Sequence, residues 1–190
     1  MTTNKMFKNF VFNYMARYDG LFNEDNISNI ELLCTAILET HKTNNRIFIY
    51  GNGGSAGNAI HLANDFIYGA GKKIGRGFDI EALSSNPAVI TCLANDVSYD
   101  DIYSEQLKVK GKENDISIAL SGSGNSRNII KALDISNKLN IKTFAILGYD
   151  GGKSKELAKY PIHFDIKDMQ ISEDLQLIVG HLCMQWLCEV

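Results

Sequence analysis

The chain has 190 residues, of which 45% are apolar and 22% charged, and a formal net charge of -3. That length suits a single α/β domain with a real core, with N-terminal helices over 1–44 and an α/β core over 45–190. Its largest basic groupings, Lys72-Lys73 and Lys108 with Lys110, are short and lack an aromatic ladder, which speaks against nucleic acid, and no apolar run reaches the length of a membrane span.

From Lys5 to about His41 the spacing is helical. Phe7, Phe10, Val11 and Tyr14 recur at helical intervals, Asp19-Gly20 makes a turn, and Ile27, Ile30, Leu32, Leu33, Ala36 and Ile37 resume the pattern. Helices ahead of the first strand are not crossovers of a sheet. They either cap one sheet face or form an oligomer interface, and the aromatic residues near the start suit the second reading. Phe10-Val11-Phe12 is too short for a secretion signal.

The β-formers Ile47, Phe48, Ile49 and Tyr50 stop at Gly51-Asn52-Gly53-Gly54-Ser55, and an alanine-rich helical segment follows. In a parallel sheet such a turn leaves free N–H groups and the positive end of the helix dipole beyond the strand, where an anion is favoured. His61 and Asp65 stand at i and i+4 on that helix, on one face. A solvated polar face accounts for them as well as a pair of metal ligands, or an acid and a base, does.

Ile80 to Leu83 predicts a short second strand. A helix over 88–94 ends at Asn95-Asp96, which are either an ordinary helix end or partners for sugar hydroxyls. A helix over 99–110 leads to a third strand, Asp115 to Leu120, then to Ser121-Gly122-Ser123-Gly124-Asn125-Ser126 and another helix. Glycines let the backbone approach a ligand, and serine hydroxyls donate to phosphate oxygens without adding charge. Two such cradles at neighbouring strand ends point to one phosphorylated ligand across the switch point of a doubly wound sheet. Gly51, Gly53 and Ala56 fit a dinucleotide fingerprint only loosely, because no carboxylate follows at the required distance, and a P-loop lysine is missing. Thr143 to Leu147 and Tyr160 to Phe164 complete a parallel sheet of about five strands flanked by helices, with Pro161 suiting an edge.

The segment from about Ile171 to Glu189 is apolar nearly all round, which predicts a buried helix. Glu173 and His181 within it then need a partner or a metal. They lie about 12 Å apart along the helix and about 80° around it, so one ion meets both only if each side chain stretches or subunits share it. His61, Asp65, Glu173 and His181 together make an N/O zinc site. Cys34, Cys92, Cys183 and Cys188 lie in apolar segments without CxxC spacing, which predicts buried, reduced thiols and a cytoplasmic protein.

GNGGSA at Gly51 to Ala56, the His61 and Asp65 pair, AND at Ala94 to Asp96, SGSGNS at Ser121 to Ser126, GYDGG at Gly148 to Gly152 and the last helix with His181 resemble the phosphoheptose isomerase family of the sugar-isomerase (SIS) fold. The resemblance spans nearly the whole chain. It implies a cytoplasmic homotetramer with active sites between subunits, converting sedoheptulose 7-phosphate to D-glycero-D-manno-heptose 7-phosphate for lipopolysaccharide heptose. Asn52, Gly53, Gly54, Ser55, Asn95, Asp96, Ser121, Gly122, Ser123, Ser126 and Glu173 would hold substrate. His61, Asp65, Glu173 and His181 would bind one zinc per subunit, with Asp65 as base and His181 as acid.

Four positions depart from the family pattern: Asp65 stands for glutamate, Glu173 for glutamine, Gly122 for threonine and Gly69 for arginine. They leave room for an isomerase of another sugar phosphate. A non-catalytic relative that binds a replication initiator is the rival of another class. Ligand-capable side chains at all four metal positions favour catalysis.

Overall fold

The computed structural model describes residues 3–190. Five parallel strands form its centre: β1 (Ile47–Gly51), β2 (Ile80–Ala82), β3 (Ile116–Ser121), β4 (Lys142–Leu147) and β5 (Tyr160–His163), in the spatial order β2-β1-β3-β4-β5. Every residue of β1 and β3 is buried, as the continuous apolar runs of a sheet covered on both faces require. Side chains alternate: Ile47, Ile49, Ile118, Leu120 and Ile146 enter one core, while Phe48, Tyr50, Ala119, Ala145 and Leu147 enter the other.

The first core is covered by α2 (Glu24–Thr43), α3 (Gly54–Asn64) and α9 (Met169–Leu187), and the second by α6 (Ser104–Lys110) and α7 (Arg127–Lys138). After β1 the chain moves outward to β2, then returns to place β3 on the other side of β1. The switch point therefore lies between β1 and β3, where Gly51 pairs with Leu120 and the two glycine-rich turns leave side by side. The edge strand β5 is blunted by α2: Asn26 accepts from the His163 amide at 3.0 Å and donates to the His163 carbonyl at 2.9 Å, and Asn29 donates to the Pro161 carbonyl at 2.8 Å.

Several expectations change. The helix predicted over 99–110 divides into a 3₁₀ turn at Tyr99–Asp101 and α6, because the Ser98 side chain caps Asp100 and starts a separate turn. The last helix is not buried all round: Leu182 and Trp186 are 46% and 39% exposed. A helix in a layer meets the core with one face only, and its apolar outer face lies open in a single chain. All four cysteines are free, but Cys92 is exposed on α5 (Pro87–Asp96) and Cys188, just past the end of α9, is half-buried against the core. Of the N-terminal pair, α2 covers the sheet, whereas α1 (Thr3–Ala16) stands away from it with Phe7, Phe10 and Phe12 at least 60% exposed. Among the described residues no helix is long and apolar enough to cross a membrane.

The start of α9 is fixed by Asp168, whose Oδ1 accepts from the Ile171 amide at 3.0 Å and whose Oδ2 pairs with Arg17 at 2.7 Å. The Ile171 amide, and then Arg17, hold the Asp168 carboxyl below the usual carboxylate range. A lowered folded pKa stabilises the protein above the ordinary carboxylate pKa, and that contribution disappears as pH falls through the lowered value. Asp168→Ala is expected to cost about 1 kcal/mol at neutral pH, read by urea unfolding, and the gap from the unsubstituted protein narrows in acid.

Candidate active site

Beyond the switch point the two turns and the start of α9 enclose a cleft of ≈110 Å³ lined by Asn52, Ser55, Leu120, Ser121, Gly122, Ser123, Ser126, Met169 and Glu173. Gly53 carries the reason for glycine at the first turn, with φ of 54° just before α3 begins. The Tyr103 hydroxyl donates to the Gly51 carbonyl and pins the end of β1. In the second turn Ser121 Oγ accepts from the Gly124 amide at 3.0 Å, while Ser126 caps α7 without spending its hydroxyl on the helix. The turn is braced from behind: the Gly148 amide donates to the Gly122 carbonyl at 3.0 Å and the Ser154 amide to the Gly124 carbonyl at 2.9 Å. The loop GYDGG is thus the support of the serine turn.

Asn95 and Asp96 end α5 (Pro87–Asp96), exposed, and bond to each other at 2.7 Å outside the lining of the cleft. Glu173 does face the cleft. A Cβ on Gly54 would collide with its carboxylate, which places that negative charge against the first residue of α3, at the positive end of the helix dipole. Asn58 holds this part of α9, donating to the Glu173 carbonyl at 2.9 Å and to Gln176 at 3.0 Å, while Gln176 donates to Ser55 at 3.0 Å.

A second cluster lies on the outer side of α3 and α9. His61 Nε2 is 3.1 Å from His181 Nε2, and Asp65 Oδ2 is 3.4 Å from the first and 3.3 Å from the second. Asp65 opens a π turn, Asp65–Gly69, that runs on into α4 (Ala70–Ile74); such wide turns are frequent at functional sites. Its short side chain still reaches both imidazoles. Two ligand atoms held about 2.1 Å from a tetrahedral metal are separated by about 3.4 Å. The three observed edges have that length, so the donor set and its spacing fit one face of a tetrahedral N/O metal site. Among the described residues these three are the group of His, Cys, Asp or Glu that could hold a metal ion. Glu173 is not part of it within one chain.

The departures have different causes. A Cβ at Gly122 would lie 2.5 Å from Met169 Sδ, so methionine occupies the space of a threonine side chain. A Cβ at Gly69 meets nothing within 4 Å, so no steric limit excludes a larger residue there. Gly122→Thr is expected to cost about 1 kcal/mol of stability through overpacking, and Met169→Ala in the same chain to restore most of it, read by urea unfolding.

Sequence reasoning missed Met169, Asn58, Gln176, Tyr99 and Asn128. One signal was available for Asn128: at helical spacing it shares the inward arc of α7 with Ile129, Ala132, Leu133 and Ser136, where an amide needs a partner.

The family model described as SIS domain matches residues 12–148. A phosphoheptose isomerase of Aneurinibacillus thermoaerophilus is 34% identical over 163 residues, covering 85% of this chain and 81% of that protein. One from Thermodesulfovibrio yellowstonii is 34% identical over 175 residues, covering 92% and 85%. Among solved structures, a phosphoheptose isomerase from Francisella tularensis superposes with a TM-score of 0.85 at 20% identity over 100% of both chains. One from Neisseria gonorrhoeae gives 0.81 at 23% identity over 98% of this chain and 97% of that one, and both likenesses bear on the fold. By the extent of these matches the chain belongs to the SIS domain family and, within it, to the phosphoheptose isomerase family.

Proposed function

We propose that the protein is a ketose/aldose isomerase that converts sedoheptulose 7-phosphate to D-glycero-D-manno-heptose 7-phosphate. The observation that carries this reading is the meeting of His61, Asp65 and His181 at 3.1 to 3.4 Å. They stand on α3, the turn after it and α9, and the first turns of these two helices border a cleft of serine hydroxyls and helix-start amides. The phosphate takes the cleft, held by Ser55, Ser121, Ser123 and Ser126 with Asn52, Gly53 and Gly54. It displaces the Glu173 carboxylate from Gly54, and Glu173 of this or a neighbouring subunit would be the fourth donor of the metal site.

Asp65 removes a proton from C1 of the ketose. The freed electron pair forms the C1=C2 bond of an enediol while O2 takes a proton from His181, through the ring nitrogen that is not turned toward the metal donors. Return of the proton to C2, with loss of the O1 hydroxyl proton, gives the aldose. His61, Asp65, Glu173 and His181 would hold a zinc ion, which when bound would supply Lewis-acid chemistry toward the sugar oxygens.

The cleft, at ≈110 Å³, is smaller than a whole-ligand pocket, so a second subunit supplies the remaining wall. That supports a homotetramer with shared sites, and Asn95 and Asp96 are assigned to the sugar in that assembly. Four free cysteines support a cytoplasmic location, and heptose for lipopolysaccharide is the proposed use of the product. Met169 over Gly122 favours one second reading, a different sugar phosphate with the same chemistry.

The test is turnover of sedoheptulose 7-phosphate, beside a panel of other sugar phosphates, by purified protein with and without zinc. Metal-dependent turnover is the expected result. A folded protein that turns over none of them sinks the proposal and leaves the non-catalytic rival.

A further inference from the structure

Two side-chain amides, one buried and one half-buried, join the turns that form the cleft. Asn52 Nδ2 donates to Asn128 Oδ1 at 2.9 Å, and Asn128 Nδ2 donates back to Asn52 Oδ1 at 2.8 Å. The Ile129 amide also donates to Asn128 Oδ1, at 3.0 Å, and the Tyr99 hydroxyl donates to Asn52 Oδ1 at 3.3 Å. Asn128 is 2% exposed, whereas Asn52 lines the cleft.

The two ends of a carboxamide have the same shape, so their sense is decided by a partner that can only donate or only accept. The Ile129 N–H is such a partner. It demands oxygen at Asn128 Oδ1, which turns the Asn128 nitrogen toward Asn52. That nitrogen in turn demands oxygen at Asn52 Oδ1, so the sense of one amide is passed to the next. Asn52 Nδ2 carries two hydrogens and spends one on Asn128. The other is left for the cleft, and both lone-pair directions of Asn52 Oδ1 are already taken by Asn128 and Tyr99.

We propose that Asn128 is a positioning residue that fixes Asn52 as a hydrogen-bond donor, never an acceptor, toward the phosphorylated ligand, and locks the two turns at one separation. The inference rests on the sugar-phosphate reading of the cleft for its ligand. Asn128→Asp tests it with almost no change of shape. The carboxylate still accepts from Ile129 but cannot donate, so the Asn52 amide turns its hydrogens away from the cleft to meet it.

With sedoheptulose 7-phosphate, Asn128→Asp is expected to raise KM about tenfold or more with kcat changed by less than about twofold, as for a bond made equally in ground and transition states. Asn52→Ala is expected to do the same, and the double variant to be no worse than Asn52→Ala alone. An unchanged KM in Asn128→Asp, or effects that multiply in the double variant, overturns the proposal; a purely structural role gives the multiplied result. If Asn128→Asp does not fold, Asn128→Ser is read by the same criteria.

A second measurement does not depend on turnover. In ¹⁵N–¹H spectra of the unsubstituted protein, one side-chain amide proton of Asn52 is expected to be protected from exchange. Both protons exchanging at the solvent rate overturns the lock, whatever the assay shows. No turnover with that proton protected sinks the isomerase reading and leaves the lock standing.

Discussion

Replacing His181 by alanine is expected to lower kcat/KM by about 10²- to 10⁴-fold, the range of a positioned acid or base, while leaving the fold in place. The reason for the separation is position. His181 is half-exposed on the outer face of α9, and its ring meets His61 and Asp65 rather than the core. Surface substitutions of this kind move stability by roughly 0.5 kcal/mol or less. Metal content measured on the same sample distinguishes the roles. Loss of one of three converging donors is expected to lower the metal bound along with turnover. Asp65→Asn keeps the outline of the side chain but removes the negative charge, and is expected to be as damaging, because an amide is both a weaker ligand and no base. Turnover within tenfold of the unsubstituted enzyme in either variant would remove the trio from the mechanism. Chelation gives the matching result without mutation: a ligand that binds only the folded state stabilises it, so stripping the metal lowers the melting temperature as well as activity.

How much of this was legible depends on whether a signal is local. β1 and β3 could be read because strands buried on both faces are unbroken apolar runs, and because Gly51 and Ser121 start turns that no helix or strand tolerates for long. The switch point was expected from two similar turns after β1 and β3, and the strand order places them side by side. His61 and Asp65 could be paired, since i and i+4 share a face, but the solvated-face explanation survived until His181, 120 positions beyond His61, arrived at 3.1 Å. That meeting is a product of α3 packing on α9; the residue types suggested it and the family resemblance reinforced it, but no local spacing required it. Glu173 shows the limit of the same reasoning. Its charge on an apolar helix marked it as functional, yet its carboxylate lies at Gly54 in the cleft, a turn arrangement that helical periodicity does not contain. Apolar spacing also does not say which surface it is meant for, which is why α9 read as buried throughout and why the place of α1 was left open.

Phe10→Asp in α1 is expected to dissociate the assembled protein and with it most of the turnover. α1 has 14 residues, close to the length at which an isolated helix is marginal in water. Among the described residues, its hydrogen bonds and ion pair to the rest of the chain come from its end and the turn after it. Tyr14 and Tyr18 donate to Asp174 at 3.0 and 2.7 Å, and Arg17 reaches Asp168 at 2.7 Å. Desolvation, and then Asp174, raise the Tyr18 pKa, so the phenol stays protonated as the donor. The rest of the helix gains nothing from that anchor: Met6, Phe7, Phe10 and Met15 are 58% to 66% exposed. At positions 7, 10, 11 and 14 the apolar side chains form the stripe by which one helix packs on another, and symmetric association of copies buries such a stripe in each of them at once. A carboxylate at position 10 would have to be desolvated without a partner, which costs several kcal/mol at every copy of the contact. Sedimentation velocity reads the outcome as a fall in assembled mass from the proposed tetramer. Tyr14, Tyr18 and the core are untouched, so the circular dichroism of the sheet domain is expected to persist. If the variant keeps the mass and activity of the unsubstituted protein, α1 is not the assembly contact, and the aromatic stripe serves another surface.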